Sequence, residues 1–411
     1  QVLIPCGIPY IFGTLGSPDA NLIADAVLKK NDVELLIAEA TTLDRETKIL
    51  KTSEGDIRYD RLILATGSEP VKPPIPGIDK EGVFDIRKDV AYLKELQNQL
   101  KDATDVVIIG CGFIGIEFAD EINKAGGKRI SIVEIAPCCL SLAYDTEFCT
   151  EMEALLTSRG ISLHTGSKVT AIEGNGRVSA VRVENRSPIK ADVVILGIGA
   201  RANVGLAKEA GLRLGATGSI AVDRTMRTSD PAIYACGDCT AEISFFGGRP
   251  SMLKLASIAE MEARIAGANL FGVRRESHGT LGVWSTAVGD LAMGTAGLTE
   301  AMAKANGYQV VCADIEGPNR HPGSMPGAAR TLLKLVFEAN SQVVLGGQIL
   351  GSDTVGEMIN IVAACVQKRM TAEDIATFQM GTHPALTASP IAYHLVNAAE
   401  LALAKMGNGH A

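Results

Sequence analysis

Aromatic side chains are scarce: they make up 4% of the 411 residues, with a single tryptophan. A core built from this chain must be mostly aliphatic. No apolar run reaches the length of a membrane span, so no membrane partner is expected. No basic run stands out against a net charge of −8, so nucleic acid is not an expected partner either. No signal peptide is visible, no short-period repeat, and no Cys/His cluster with zinc spacing, so no metal is expected. The nine cysteines are odd in number and scattered. They read as reduced thiols in a cytoplasmic protein rather than as a disulfide framework. The adjacent pair Cys138-Cys139 reads as two ordinary thiols, because a vicinal disulfide is strained. What is plentiful is glycine, with 43 residues, in a chain that is 46% hydrophobic. That balance suits an α/β protein with many tight strand–helix turns, divided into two or three domains.

The most informative stretch runs from Asp105 to Glu117. A buried strand over 106–109 enters Gly110-x-Gly112-x-x-Gly115, and a helical pattern follows. The next strand, 130–133, ends at Glu134, an acidic residue 24 positions beyond Gly110. This is the full context of a dinucleotide fingerprint. Gly110 permits the tight turn, Gly112 lets the backbone approach a pyrophosphate, and Gly115 lets the helix pack on the strand. Glu134 is set to accept hydrogen bonds from an adenosine ribose and would repel a 2′-phosphate. NADH is therefore favoured, with NADPH possible.

Two further strands end in glycine turns, Ala65-Thr66-Gly67 and Cys236-Gly237-Asp238. Ligands bind beyond the carboxyl ends of parallel strands, and Asp238 could accept hydrogen bonds from a polyol. Helix is expected over 20–30 and strand over 34–39. Residues 70–77 hold four prolines and read as an extended linker. From about 275 onward the strand-like segments come first and helices at 355–367 and 390–404 come last, which indicates a separate α+β domain.

Thr66-Gly67, the Gly110 fingerprint and Thr228-Ser-Asp-Pro…Ala235-Cys-Gly-Asp238, in that order, resemble the FAD-dependent pyridine nucleotide–disulfide oxidoreductases. The resemblance covers nearly the whole chain. It implies two Rossmann-like nucleotide-binding domains, for FAD and NAD, and a C-terminal α+β dimerisation domain. The FAD domain would comprise 1–101 and 233–274, the NAD domain 102–232 and the dimerisation domain 275–411. By the same resemblance Thr66, Gly67, Gly237 and Asp238 would hold FAD, with Asp238 on the ribityl chain. Gly110, Gly112, Gly115 and Glu134 would hold NADH, and Gly199 is counted among the cofactor-binding residues. A homodimer is implied.

Pro5-Cys6-Gly7-Ile8-Pro9-Tyr10 resembles the single-cysteine branch of that family, which includes coenzyme A disulfide reductases, NADH oxidases, NADH peroxidases and persulfide reductases. The two-cysteine branch has a second cysteine five positions on, where this chain has Ile11. Cys6 would act alone, as thiolate, mixed disulfide or sulfenate. Gly381-Thr-His383-Pro384 resembles the family's His-Pro motif, which implies acid–base work by His383 across a dimer interface. The partner glutamate is replaced by Ala388. Tyr393 reads as a packing residue. Cys236 and Cys239 straddle the flavin turn and read as ordinary thiols. The family's first strand–GxGxxG–helix unit does not precede Cys6. A chain starting at Gln1 is expected to hold flavin weakly, and an upstream piece is the other expectation.

The function expected on this basis is passage of hydride from NADH through FAD to Cys6, reducing a small disulfide or persulfide such as coenzyme A disulfide. An NADH oxidase or peroxidase acting on oxygen or peroxide through a Cys6 sulfenate is one alternative. A flavoprotein electron relay with Cys6 idle is another.

Overall fold

The computed structural model describes residues 2–272 and 274–407. At its centre all five residues of the strand Asp105–Ile109 are buried. A strand flanked on both sides in a parallel sheet has no solvent face, which is why its sequence is a continuous apolar run. The sheet order is Ser162–His164, Arg129–Val133, Asp105–Ile109, Val193–Leu196, Val83–Asp85, and every pairing is parallel. Alternation of side chains divides the central strand between two cores. Val106 and Ile108 pack with Leu93, Ile116, Phe118, Phe148 and Met152 from helices on one face. Val107 and Ile109 pack with Ile172, Val181 and Val183 from a three-stranded antiparallel sheet on the other. The helices on the first face are Val90–Asp102, Phe113–Lys124 and Thr146–Ser158.

A second unit is built on Leu62–Leu64 and Ile233–Ala235, which pair in parallel. The helix Ala256–Leu270 packs beside them, and an antiparallel sheet of Ala40–Asp44, Ile49–Thr52 and Gly55–Arg58 flanks them. The strand expected over 34–39 is unpaired up to Ala40, and Val33, Leu35, Leu36 and Ile37 are exposed. Extended backbone is a strand only with a neighbour to bond, and among the described residues this segment is bonded only at its end, where Ser53 N donates to Glu39 O at 2.9 Å. The helix expected over 20–30 is broken up. Pro18–Asn21 is a 3-10 turn, Leu22–Ile23 pairs with Val2–Leu3, and only Ala26–Lys30 is α-helical. The Asn21 side chain, which donates to Ile4 O at 2.8 Å, diverts the chain into that pairing.

The C-terminal unit is a five-stranded antiparallel sheet in the order Val283–Val288, Leu291–Gly297, Val344–Gly351, Arg330–Glu338, Val310–Pro318. Val355–Gln367 and His394–Gly407 bury their apolar stripes on one face. Val288, Met293 and Leu350 on the other share a core with Ile116 and Phe118. Buried Lys334 bridges the two units, pairing with Asp145, Glu147 and Glu300.

Candidate active site

The fingerprint glycines have three separate reasons. Gly110 sits at φ +107°, and a Cβ there would lie 2.4 Å from the Gly197 carbonyl oxygen. A Cβ on Gly115 would lie 2.0 Å from the Gly110 carbonyl oxygen, so the helix can approach its strand only with glycine there. Gly112 has nothing within 4 Å of its Cβ position and caps the helix Phe113–Lys124 without a side-chain hydrogen bond. The first N–H groups of that helix are thus left for an anion. The Glu134 carboxylate accepts from Cys111 N at 2.6 Å and from Ala136 N at 2.7 Å, pinning the loop to the next strand end. Carboxylate oxygens have lone pairs left for ribose hydroxyls.

The cysteines correct the expectation of uniformly free thiols. Cys111, between the first two fingerprint glycines, is disulfide-bonded to Cys139. Leu140 N donates to Cys111 O at 2.9 Å and brings the two segments together. The other seven cysteines are free, Cys138 among them. The pairing joins a turn to a loop 28 residues on, a contact that adjacency in sequence does not reveal.

Cys6 lies in the 3-10 turn Pro5–Gly7 and is exposed. Ile11, five positions on, is fully buried. The Cys6 thiol is pushed up from its ordinary value by partial burial, then by Glu117 and Asp238, while Lys88 pulls it down. Its edge is open to solvent, yet enough protein flanks it to penalise the charge. The influences of these three side chains are electrostatic and come from segments distant in sequence. Glu117 lies two residues beyond Gly115 on the fingerprint helix. Asp238 follows Ile233–Ala235, takes a hydrogen bond from Ser68 Oγ at 2.6 Å and has Lys88 Nζ at 3.6 Å. Gly237 stands at φ +78°, and its N–H donates to Glu262 Oε2 at 2.7 Å. Thr66 Oγ1 donates to Asn203 O at 2.6 Å, and Asn203 N donates to Gly67 O at 2.9 Å. Gly199, at φ +93°, accepts from Val71 N at 3.0 Å. Thr66, Gly67 and Gly199 thus sit where Ser68–Pro70 crosses Ala200–Ala202, between the two nucleotide-type units.

Asp238, Lys88 and Glu117 of the fingerprint helix all act electrostatically on the Cys6 thiol, whereas the described hydrogen bonds of His383 lead to none of them. His383 is exposed, and its hydrogen bonds among the described residues stay within 383–387. Its Nδ1 accepts from Ala385 N at 3.2 Å. Ala388 and Tyr393 are buried in the C-terminal core. Cys236 and Cys239 are buried free thiols. Sequence reasoning did not single out Glu117, Lys88, Ser68 or Thr286. Glu117 closes the fingerprint stretch and was the one within reach of motif reading.

The donor sets suit two nucleotides. The bare helix N-terminus with clear space at Gly112 suits a pyrophosphate. The Asp238 carboxylate, with Ser68 and Lys88 around it, suits a polyol chain beside Cys6. Among the described residues no helix is long and apolar enough to cross a membrane, and no His/Cys/Asp/Glu group could hold a metal ion.

Comparison with known proteins gives the family. Residues 10–263 match the family described as pyridine nucleotide-disulphide oxidoreductase, and 283–391 match its dimerisation domain. The chain is 31% identical over 98% of its length to an NADH oxidase of Methanocaldococcus jannaschii, covering 91% of that protein. It is 33% identical over 90% of its length to an NAD(P)H coenzyme A polysulfide/persulfide reductase of Pyrococcus horikoshii, covering 83% of that protein. An NAD-dependent persulfide reductase from A. fulgidus superposes with a TM-score of 0.92 at 29% identity, covering 99% of this chain and 77% of that one.

Proposed function

This chain belongs to the FAD-dependent pyridine nucleotide-disulphide oxidoreductases, and from that premise we propose that it reduces a small disulfide or persulfide, such as coenzyme A disulfide, at Cys6 with electrons from NADH. FAD, when bound, supplies the relay that accepts a hydride and returns two electrons to sulfur. The observation carrying the reading is the seat of Cys6: one exposed thiol in the turn Pro5–Gly7, with buried Ile11 where a second redox cysteine would stand.

The protein's own residues divide the work. Gly110, Gly112 and Gly115 present helix N–H groups to the NADH pyrophosphate, and Glu134 receives its adenosine ribose. Asp238 and Gly237, with Thr66 and Gly67, hold the flavin side, and Gly199, at φ +93° with clear space around its Cβ position, is counted with the cofactor-binding residues. Cys6 attacks the oxidised sulfur substrate and forms a mixed disulfide, which the next pair of electrons cleaves. Lys88 is the cation that favours the attacking thiolate. His383 would join the site only from a second copy, as a homodimer formed through 275–411 would allow. The division expected at 1–101 with 233–274, 102–232 and 275–411 needs its inner boundaries moved, because Val83–Asp85 joins the sheet of Asp105–Ile109 and Val90–Asp102 packs on it, while Ala207, Leu212 and Ile220 pack with Leu64 and Ile233; the setting we propose is cytoplasmic.

The second reading is an NADH oxidase or peroxidase with a Cys6 sulfenate, which the M. jannaschii relative's name favours. The test is NADH oxidation by FAD-loaded enzyme against coenzyme A disulfide, polysulfide, peroxide and oxygen, repeated with Cys6→Ser. Disulfide- or polysulfide-dependent turnover that vanishes in Cys6→Ser is the expected result. Turnover with oxygen or peroxide alone selects the second reading, and full disulfide turnover in Cys6→Ser overturns the role of Cys6.

A further inference from the structure

One side chain fastens the Cys6 turn at both ends. Pro5–Gly7 is a single 3-10 turn, closed by Gly7 N donating to Ile4 O at 3.1 Å. Asn21 Nδ2 donates to the same carbonyl oxygen at 2.8 Å. A carbonyl oxygen has two lone pairs, so Ile4 O can serve both donors. The carboxamide also lies directly against Gly7: a Cβ there would stand 2.0 Å from Asn21 Oδ1 and 2.8 Å from Asn21 Cγ. Ile4 and Gly7 are the residues that close the turn around Cys6. Asn21 therefore touches the chain both before and after the sulfur-bearing residue. The main chain extends the clasp, since Ile4 N donates to Asn21 O at 3.1 Å and Val2–Leu3 pairs with Leu22–Ile23.

Asn21 is itself firmly seated. It ends the 3-10 turn Pro18–Asn21, which Ser17 caps by accepting from Asp19 N at 3.2 Å. It is 2% exposed, whereas Cys6, in the turn it holds, is exposed. Below the turn Ile8, Ile11 and Phe12 are anchored in the core with Leu93, Leu96 and Phe118. The far end is tied to the fingerprint helix, where Glu121 accepts from Thr14 N at 2.7 Å and from Thr14 Oγ1 at 3.1 Å. The floor of the segment is thus fixed by apolar burial, and the exposed turn above it is fixed by one carboxamide.

We propose that Asn21 is the positioning residue of the reactive sulfur, clamping Ile4 and Gly7 so that the Cys6 thiolate keeps one direction of attack. The inference rests on the reading of Cys6 as the disulfide-attacking sulfur. The thiolate attacks one sulfur of R–S–S–R, the Cys6–S bond forms, the S–S bond breaks, and RS⁻ leaves and takes a proton from water. Two electrons from NADH then cleave the mixed disulfide, so that NADH + H⁺ + RSSR gives NAD⁺ + 2 RSH. Asn21 exchanges no proton and touches neither sulfur. It acts through the turn, because displacement is sensitive to where the attacking atom stands.

The test uses FAD-loaded enzyme and two rates. One is steady-state turnover of coenzyme A disulfide with NADH. The other is the single-turnover exchange of Cys6 with dithiobis(nitrobenzoate), which needs no NADH. Asn21→Ala should slow both by about tenfold and leave the KM for NADH within about twofold of wild type. Gly7→Ala should lose about as much, because its methyl meets the carboxamide; the Gly7 backbone is not in the left-handed region, so the substitution is otherwise tolerated. In Asn21→Ala/Gly7→Ala the methyl enters the vacated space, and the loss should not exceed that of the worse single variant. Thermal midpoints of all three are read beside the rates. Wild-type rates in Asn21→Ala overturn the proposal. So does a rate loss matched by a rise in the KM for NADH, which would mean general loosening, and so does an additive, about hundredfold, loss in the double variant. Cys6→Ser separates the two claims: retained disulfide turnover there refutes the Cys6 reading itself, whereas an inactive Cys6→Ser beside unaltered Asn21→Ala rates refutes only the positioning role.

Discussion

Gly112 and Gly115 stand three residues apart in one loop, and alanine at each should fail differently. At Gly115 the new Cβ would sit 2.0 Å from the Gly110 carbonyl oxygen. Non-bonded carbon and oxygen need more than 3 Å, so the helix Phe113–Lys124 must retreat by roughly 1 Å from its strand. Ile116, Phe118, Ala119 and Ile122 on that helix are all in the core and would have to follow. Overpacking of this kind costs about 3 kcal/mol, which lowers the thermal midpoint by roughly 5–10 °C. At Gly112 the backbone is φ −79°, ψ −174°, a region open to any residue, and no atom lies within 4 Å of the Cβ. Gly112→Ala should leave the midpoint within about 1 °C of wild type. Its methyl instead stands where the pyrophosphate comes closest, and NADH affinity should drop about tenfold or more, at least 1.4 kcal/mol. Differential scanning fluorimetry and NADH titration by isothermal calorimetry measure the two effects. If Gly112→Ala binds NADH as wild type does, the pyrophosphate does not lie on this turn, and the assignment of the loop is wrong. If Gly115→Ala is as stable as wild type, the helix has slack that the 2.0 Å approach denies.

Two other outcomes follow from buried groups. Glu242 is 5% exposed, its Oε2 has no hydrogen-bond partner among the described residues, and burial together with Glu262 pushes its carboxyl up to about 8. The folded protein therefore holds this proton where the unfolded chain releases it, so stability should fall as pH rises from about 4.5 to 8. Glu242→Gln should flatten that slope in urea melts; an unchanged slope would remove Glu242 as its source. For the cysteines, thiol titration of protein denatured without reductant should count seven alkylated cysteines, with Cys111 and Cys139 appearing only after reduction. Nine alkylated cysteines would contradict the pairing.

The sequence was legible where local chemistry decides structure. The run Val106 to Ile109, its three glycines and Glu134 define a strand, a turn and the end of the next strand within one stretch of chain, and the strand and turn stand where the pattern implies. The C-terminal unit was legible as strands followed by helices, but its sheet order was not, since Val344–Gly351 lies between Leu291–Gly297 and Arg330–Glu338. Contacts made across units were hidden. Nothing in the sequence near Thr286 points to Glu117, 169 residues away, or near Lys334 to Asp145. The disulfide escaped because attention to Cys138-Cys139 as neighbours says nothing of Cys111. The segment over 34–39 has strand composition but takes its state from what lies beside it. For His383, the motif was visible, while its described hydrogen bonds stay within its own turn.

On the proposed reading of Cys6 as a disulfide-reducing sulfur the products are thiols, and the Cys111–Cys139 bond then has a consequence. Those products accumulate around it at every turnover, and thiols cleave disulfides by direct thiolate attack on sulfur. Both sulfurs belong to residues with at most 1% of their surface exposed. Cys149, the buried thiol in the same core, is held firmly protonated by its surroundings, so it is no internal nucleophile. The dinucleotide turn is thereby insulated from the reducing output of its own active site, and its shape can persist through the very conditions the enzyme creates.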